Sequence, residues 1–279
     1  MYTLNCKGKS LVIENPLVMG IINITPDSFF TGSRFSTIET VLKQAELMLQ
    51  QGAAILDIGG QSTRPGSKRL STDEELKRVL PIVEALVVKF PDSIISIDTY
   101  NSEVALQAIE CGASIINDVS FGTLDNNMLD VAASLKVPYI GMHMKGTPED
   151  MQDKPEYENV VSEVLDYFIQ KAEQCKLKGI HDLIIDPGFG FGKSINHNYE
   201  LLYHLKAFQM LEKPILCGVS RKSMIYKVLD TNADNALNGT TVLNTMALRN
   251  GASILRVHDV GEAMEAVKLV NAYKNAAPK

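Results

Sequence analysis

The sequence predicts an α/β fold: a single (β/α)8 TIM barrel with a short N-terminal hairpin or cap, one domain over residues 1–279. Three observations carry that reading. Short apolar runs alternate with longer stretches of helical spacing along the whole chain, eight such pairs can be counted, and polar residues recur at nearly every strand end. Near-continuous apolar strands separated by helices indicate a parallel sheet covered on both faces, and eight repeats close a barrel. An open doubly wound sheet would instead gather its polar residues at one switch point.

Residues Leu4 to Val12 read as the hairpin or cap, lying over the barrel floor. The strands follow at 18–25, 55–60, 94–99, 114–120, 137–143, 182–187, 214–220 and 253–259. The first helix, 37–51, repeats Ile38, Val41, Leu42, Ala45 and Leu49 at intervals of three and four residues. The others fall at 72–89, 102–111, 126–135, 157–178, 197–211, 222–249 and 261–273. Gly52, Gly112, Gly179 and Gly251 stand just beyond the periodic residues, where a helix ends most easily on glycine.

Composition narrows the function. The chain is 45% hydrophobic and carries a net charge of −6, which argues against nucleic acid or an anionic membrane as a partner. Any basic cluster is therefore local. Cys6, Cys111, Cys175 and Cys217 form no C-x-x-C pair and read as free thiols of a reducing compartment. The first residues contain no apolar signal-like run and no segment approaches a membrane span, so a cytoplasmic protein is expected.

In a parallel barrel the C-terminal strand ends converge on one face, where active sites are built. The last strand exits through Arg256-Val257-His258-Asp259. Residues two apart share a face, so Arg256 and His258 point together. The strand before it exits through Ser220-Arg221-Lys222-Ser223. Two basic ends this late in the chain mark an anion site, since a phosphate site commonly follows the last two strands. Earlier ends supply Asn23, Arg64, Asp98, Asn117, His143 and Asp186. Asp118 and Asp259 are expected to cap the next helices, and His143 to be an inward, hydrogen-bonded histidine. His181, His197 and His204 are expected to be surface or capping groups. Asp98, Asn117 and Asp186 facing Arg64, Lys222 and Arg256 would be costly to bury without a ligand.

Two motifs fail on inspection. Gly192-Lys193-Ser194 has the ending of a P-loop, but Pro187 occupies the upstream glycine position. Gly188-Phe189-Gly190-Phe191-Gly192 lacks the third glycine of a dinucleotide fingerprint, because Lys193 stands there. Neither ATP nor NAD is supported. The glycines still let backbone approach a ligand, and Phe189 or Phe191 offers an aromatic face. No H-E-x-x-H or thiolate set suggests zinc. A hard oxygen such as that of Asn23, with a substrate phosphate, suits Mg2+.

The stretches Met19 to Phe29 and Asp57 to Gly66 closely resemble the signatures of the dihydropteroate synthase family. The resemblance continues in order through Ser96-Ile97-Asp98-Thr99, Ile115-Ile116-Asn117-Asp118, Met142-His143-Met144, Asp186 to Lys193, Ser220-Arg221-Lys222-Ser223 and Arg256 to Asp259. It implies a barrel that joins 6-hydroxymethyl-7,8-dihydropterin diphosphate to 4-aminobenzoate in folate synthesis, by SN1-like loss of diphosphate. By the matched motifs, Asp98, Asn117, Asp186 and Lys222 would hold the pterin. Asn23, Arg64, Arg256 and His258 would meet the diphosphate, with Asn23 at Mg2+. Thr63, Pro65, Phe191, Lys222 and Ser223 would border the aminobenzoate, and Asp98, Lys222, Arg256 and His258 would act in catalysis.

The residue types suit that chemistry. A carboxylate such as Asp186 accepts from an amino group and a ring N–H together, and an amide such as Asn117 both accepts and donates. Cations stabilise a departing diphosphate, and the carboxylate of Asp98 favours the cationic methylene left behind. The family also implies a homodimer, for which Val242, Leu243, Met246 and Leu248 offer apolar contacts; the same residues could be only the inner face of a helix. The chain departs from the family at Phe30 and Thr31, where serine and aspartate are usual, and at Gln61, where an acid is common. A pterin-binding methyltransferase would need neither basic strand end, and a non-catalytic pterin-binding relative would keep the pocket without turnover.

Overall fold

In the computed structural model the residues described are 1–24, 34–61, 69–147 and 155–276. The chain opens with the expected hairpin, β1 (Tyr2–Cys6) paired antiparallel with β2 (Lys9–Ile13). Its two-residue turn puts Lys7 at φ 54° and Gly8 at φ 88°, the left-handed pair that matches the twist of the flanking strands. One face of the hairpin is apolar: Leu4, Cys6, Leu11 and Ile13 pack on Met19, Ile55, Ile94, Ile115, Ile140, Ile184, Leu216 and Ile254. These residues lie toward the N-terminal ends of the strands described next, so the hairpin plugs the barrel floor. Each such buried isoleucine or leucine contributes about 1.5–3 kcal/mol.

Eight parallel strands follow: β3 (Leu17–Asn23), β4 (Ile55–Gly59), β5 (Ile94–Asp98), β6 (Ile115–Asp118), β7 (Tyr139–Met142), β8 (Leu183–Asp186), β9 (Leu216–Cys217) and β10 (Ile254–Val257). They pair in the order β8-β7-β6-β5-β4-β3-β10-β9. A parallel bridge between Ile185 and Ile215, with the Ile185 N–H donating to Pro214 O at 3.0 Å, joins the two outer strands. The ring is thereby nearly closed, as a barrel rather than an open sheet. Outward strand residues such as Val18, Leu56, Ile97, Ile116, Ile185 and Leu255 meet the buried faces of the helices in one large cluster.

Those helices are α1 (Arg34–Gln50), α2 (Thr72–Lys89), α3 (Ser102–Glu110), α4 (Met128–Leu135), α5 (Val160–Lys178), α6 (Ile195–Tyr203), α7 (Ser223–Tyr226), α8 (Leu237–Arg249) and α9 (Val260–Asn275). Their starts follow local chemistry. Ser71 and Glu74 form a reciprocal capping box, and Ser194 and His197 form another, so His197 is a capping group as expected. The four glycines expected to close helices all take positive φ.

Two helices are shorter than the periodicity implied. The stretch 222–249 divides into α7 and α8, because the polar run Asp230–Asn235 intervenes and Asp230 sits at φ 49°. The stretch 197–211 ends as an α-helix at Tyr203 and continues as a 3₁₀ helix, Leu205–Leu211. Leu205 and Phe208 are fully buried there, and the three-residue repeat puts both on one face. Val242 and Met246 of α8 are 44% and 47% exposed, while Leu243 and Leu248 are buried, so only the first two can serve an interface. Among the described residues no helix is long and apolar enough to cross a membrane.

Candidate active site

Strand parity builds the site. On five of the eight strands the inward isoleucine of the floor is followed one step higher by a polar residue, giving Asp57, Ser96, Asn117, Asp186 and Arg256, while Ile21, Met142 and Gly218 stand at that step on the other three. At the rim, Asn23 of β3, Gly59 of β4, Asp98 of β5 and Asn117 of β6 stand in register across four strands. A Cβ on Gly59 would lie 3.5 Å from Asp98 Cβ and 3.6 Å from Asn23 Oδ1, so glycine leaves the space between those two open.

Arg256 ties this layer together. Its Nε donates to Asp57 Oδ2 at 2.7 Å and its Nη2 to Asp98 Oδ2 at 2.5 Å. The same Asp57 oxygen accepts from Asn117 Nδ2 at 3.1 Å. Burial pushes the Asp98 carboxyl up to about 7 against the opposing pull of Arg256, and Asp57 adds to the rise. Burial also works against the Arg256 charge, but Asp57 and Asp98 outweigh it and hold the guanidinium above its ordinary range. Two acids thus share one arginine in the barrel neck.

Asp186 closes β8 with Oδ1 accepting from the Gly188 N–H at 2.8 Å. Burial raises its pKa; Lys222 and the Gly188 N–H oppose the shift. Lys222, just ahead of α7, sends Nζ to Phe189 O at 2.5 Å and lies 4.8 Å from the Phe191 ring centroid. Burial lowers its ammonium to about 8, with Asp186 opposing. Ser223 is the first residue of α7, beside Lys222. Phe191 packs on a small apolar cluster of Tyr100, Val119 and Met142, which forms an unpolar wall beside the acids. Phe189 is fully buried in the core and offers no aromatic face, so of the two phenylalanines only Phe191 can serve a ligand.

His258 follows β10 on the same side as Arg256. Its Nδ1 is 3.0 Å from Ser220 Oγ, which in turn accepts from the His258 N–H at 3.2 Å. Desolvation, then the charge of Arg256, lowers the imidazole to about 4, so the ring is uncharged near pH 7.

At the other basic strand end, Lys222 and Arg221 turn to different partners. Arg221 is at φ 54° and makes a two-point ion pair with Asp259, Nε–Oδ2 and Nη2–Oδ1 both 2.9 Å. Its Nη1 donates to Ala233 O and Asp234 O. That cation braces the α7–α8 connection and does not enter the anion site. Asp259 consequently makes no side-chain cap bond to α9. Asp118 does not cap a helix either: its oxygens accept from Ser120 N and Oγ, Gly122 N and Tyr139 Oη, each at 2.7 Å. The helix begins later, at Met128, and Asp118 instead organises the turn after β6.

The glycine-rich loop after β8 meets protein backbone. A Cβ on Gly188 would fall 1.9 Å from His143 O, and one on Gly192 would fall 2.3 Å from Lys145 O. Both also have positive φ. The buried Lys193 ammonium pins the loop through His143 Nδ1 (2.9 Å), His143 O (3.2 Å), Gly188 O (3.0 Å) and Phe191 O (2.9 Å). His143 is thus a hydrogen-bonded inward histidine, as expected. Lys193 went unassigned from sequence, as did Asp57. A charged residue at an inward position between Leu56 and Ile58 was the available signal for Asp57.

Thr63, Arg64 and Pro65, like Phe30 and Thr31, lie outside the described residues. Gln61 is described, and its Oε1 accepts from the Leu70 N–H at 2.7 Å. Among the described residues no group of three or more His, Cys, Asp or Glu could hold a metal ion. The exposed Asn23 carboxamide offers one hard oxygen at the rim, which fits a Mg2+ that takes its remaining ligands from substrate phosphate and water.

Comparison with known proteins agrees with this geometry. The family model of pterin-binding enzymes matches residues 19–258. Dihydropteroate synthase of Escherichia coli K12 is 43% identical over 272 residues, covering 97% of this chain and 96% of that protein. Dihydropteroate synthase of Haemophilus influenzae is 43% identical over 275 residues, covering 98% and 99%. Among solved structures, the Yersinia pestis dihydropteroate synthase in a sulfonamide drug complex aligns with a TM-score of 0.93 at 40% identity, covering 99% of this chain and 100% of that one. The Xanthomonas albilineans enzyme solved with 4-aminobenzoic acid aligns at 0.92 and 39% identity, covering 99% of each chain. Matched end to end in both sequence and fold, the chain belongs to the dihydropteroate synthase family of pterin-binding enzymes.

Proposed function

We propose that this protein condenses 6-hydroxymethyl-7,8-dihydropterin diphosphate with 4-aminobenzoate, giving 7,8-dihydropteroate and diphosphate. The observation that carries the reading is the polar mouth in which Asp98, Asn117 and Asp186 face Lys222, Arg256 and His258 above an apolar floor. The dihydropteroate synthase of Xanthomonas albilineans has been solved in complex with 7,8-dihydropteroate, a molecule whose pterin half suits the acids and amide of this mouth.

In this reading Asp186 accepts from the pterin amino group and ring N–H, Asn117 takes the neighbouring ring edge, and Lys222 donates to the ring's acceptors. Arg256 and the His258 Nε2 donate to the diphosphate, joined by Arg64. Asn23 would hold Mg2+, which supplies positive charge to the leaving phosphates when bound. As the C–O bond to diphosphate breaks, the methylene carbon becomes cationic, and Asp98 favours that charge. The aniline nitrogen attacks the carbon and loses a proton, so no covalent enzyme intermediate is required. Phe191, Ser223 and Lys222, with Thr63 and Pro65, border the aminobenzoate. The enzyme acts in the cytosol as a homodimer through the exposed Val242 and Met246 of α8, and light scattering reporting a monomer at micromolar concentration would reject that assembly. Purified protein should form dihydropteroate from the two substrates with Mg2+, and failure to do so would reject the assignment.

A further inference from the structure

Among the described residues Asp57 is the one fully buried acid of the neck, and three features make it more than a counterion. It lies mid-strand on β4, with no freedom of backbone. Its Oδ2 accepts from both Arg256 Nε (2.7 Å) and Asn117 Nδ2 (3.1 Å), so one oxygen touches a residue from each half of the site. Its other oxygen has no hydrogen-bond partner among the described residues. A carboxylate only accepts, so an amide against it must present nitrogen. Asn117 cannot turn over without placing its oxygen against Asp57.

We infer that Asp57 is a positioning residue that sets the polarity of the Asn117 amide, and with it the pterin edge the pocket accepts. This rests on the pterin reading above. With one N–H committed to Asp57, Asn117 keeps one N–H and its oxygen for a ligand, in a fixed order. A reduced pterin offers a matching edge, where a ring nitrogen acceptor adjoins an N–H donor. A ring with that order reversed would leave buried groups unpaired, which costs more than an ordinary lost hydrogen bond. Asp57 also competes with any anion for Arg256, so its removal has opposite effects on the two halves of the site.

The test compares Asp57→Ala and Asp57→Asn with wild type by calorimetry, using 6-hydroxymethyl-7,8-dihydropterin and, separately, inorganic diphosphate with Mg2+. Asp57→Ala should bind the pterin about tenfold or more weakly, the scale of one buried polar contact, while diphosphate binds no more weakly than before. Asp57→Asn, whose amide oxygen can take the Oδ2 position, should restore pterin binding to within about threefold, well under one such contact. Wild-type pterin affinity in Asp57→Ala, or equal loss of both ligands, would overturn the inference. If Asp57→Ala does not fold, nitrogen-15 spectra of wild type decide: an Asn117 side-chain amide protected from exchange with and without pterin supports the lock, and a rapidly exchanging one overturns it. Wild-type protein that binds no pterin would overturn both this inference and the function it rests on.

Discussion

Arg256 and Asp98 come from strands that do not touch, yet the arginine Nη2 lies 2.5 Å from the aspartate Oδ2 across the neck of the barrel. The arginine proposed to meet a diphosphate is therefore also held by carboxylates, and in that reading the substrate shares or displaces the contact. The pairing orders the guanidinium without leaving a buried cation alone, which would be far more costly.

Asp186 tests the pterin half. Replacing it with asparagine keeps the shape and the Gly188 contact but puts a donor where two ligand donors arrive. Pterin affinity should fall by about 2–4 kcal/mol, the range for a buried hydrogen bond to charge. Calorimetry on a folded Asp186→Asn protein with unchanged pterin affinity would remove Asp186 from the pocket.

The ionisations predict a pH profile. Lys222 titrates near 8 and faces Asp186, Arg256, Cys217 and Asp98, so kcat/KM should fall on the alkaline side as its ammonium is lost. On the acid side it should fall as Asp98, raised by burial, takes up a proton. Stability follows the sign of the Lys222 shift. The folded pKa lies below the model-peptide value of 10.5, so between about 8 and 10.5 the unfolded chain binds more protons, and this group's contribution to stability rises with pH. Activity that stays level through pH 9.5 would show that Lys222 does not act as a cation.

Arg221 should behave differently from its neighbour. Arg221→Ala removes the paired contact to Asp259 and the two carbonyl contacts that brace residues 227–236. A partly exposed clamp of this kind is worth about 1–2 kcal/mol. Denaturant unfolding should show that loss, while affinity for inorganic diphosphate stays near wild type. A large fall in diphosphate affinity would return Arg221 to the anion site.

The contrast between Arg221 and Arg256 shows what could be read from the sequence. The alternation of apolar runs was enough for the barrel, its hairpin plug and the face that carries the site, because strand parity and helix period act locally. Arg256 and Asp98 were legible as inward strand ends. Arg221 was not, because its outward turn depends on a left-handed φ and on Asp259, a partner remote in the chain. Lys193 was equally hidden: its four acceptors come from the loop it belongs to and from the end of a different strand. The break between α7 and α8 was missed because apolar spacing continues through it, while the polar run Asp230–Asn235 carried the contrary signal.

The proposed mechanism has loss of diphosphate and capture by the amine occur in one site built from Arg256, Asp98, Asp186 and Lys222. It is tested most directly by counting diphosphate released from the pterin substrate with and without 4-aminobenzoate, in the presence of Mg2+. Sustained release is expected only when aminobenzoate is present, matched one for one by dihydropteroate and reduced at least about a hundredfold in Arg256→Ala, the scale of losing one preorganised donor to the leaving charge. Release that proceeds at the same rate without aminobenzoate, or that survives Arg256→Ala unchanged, would contradict it.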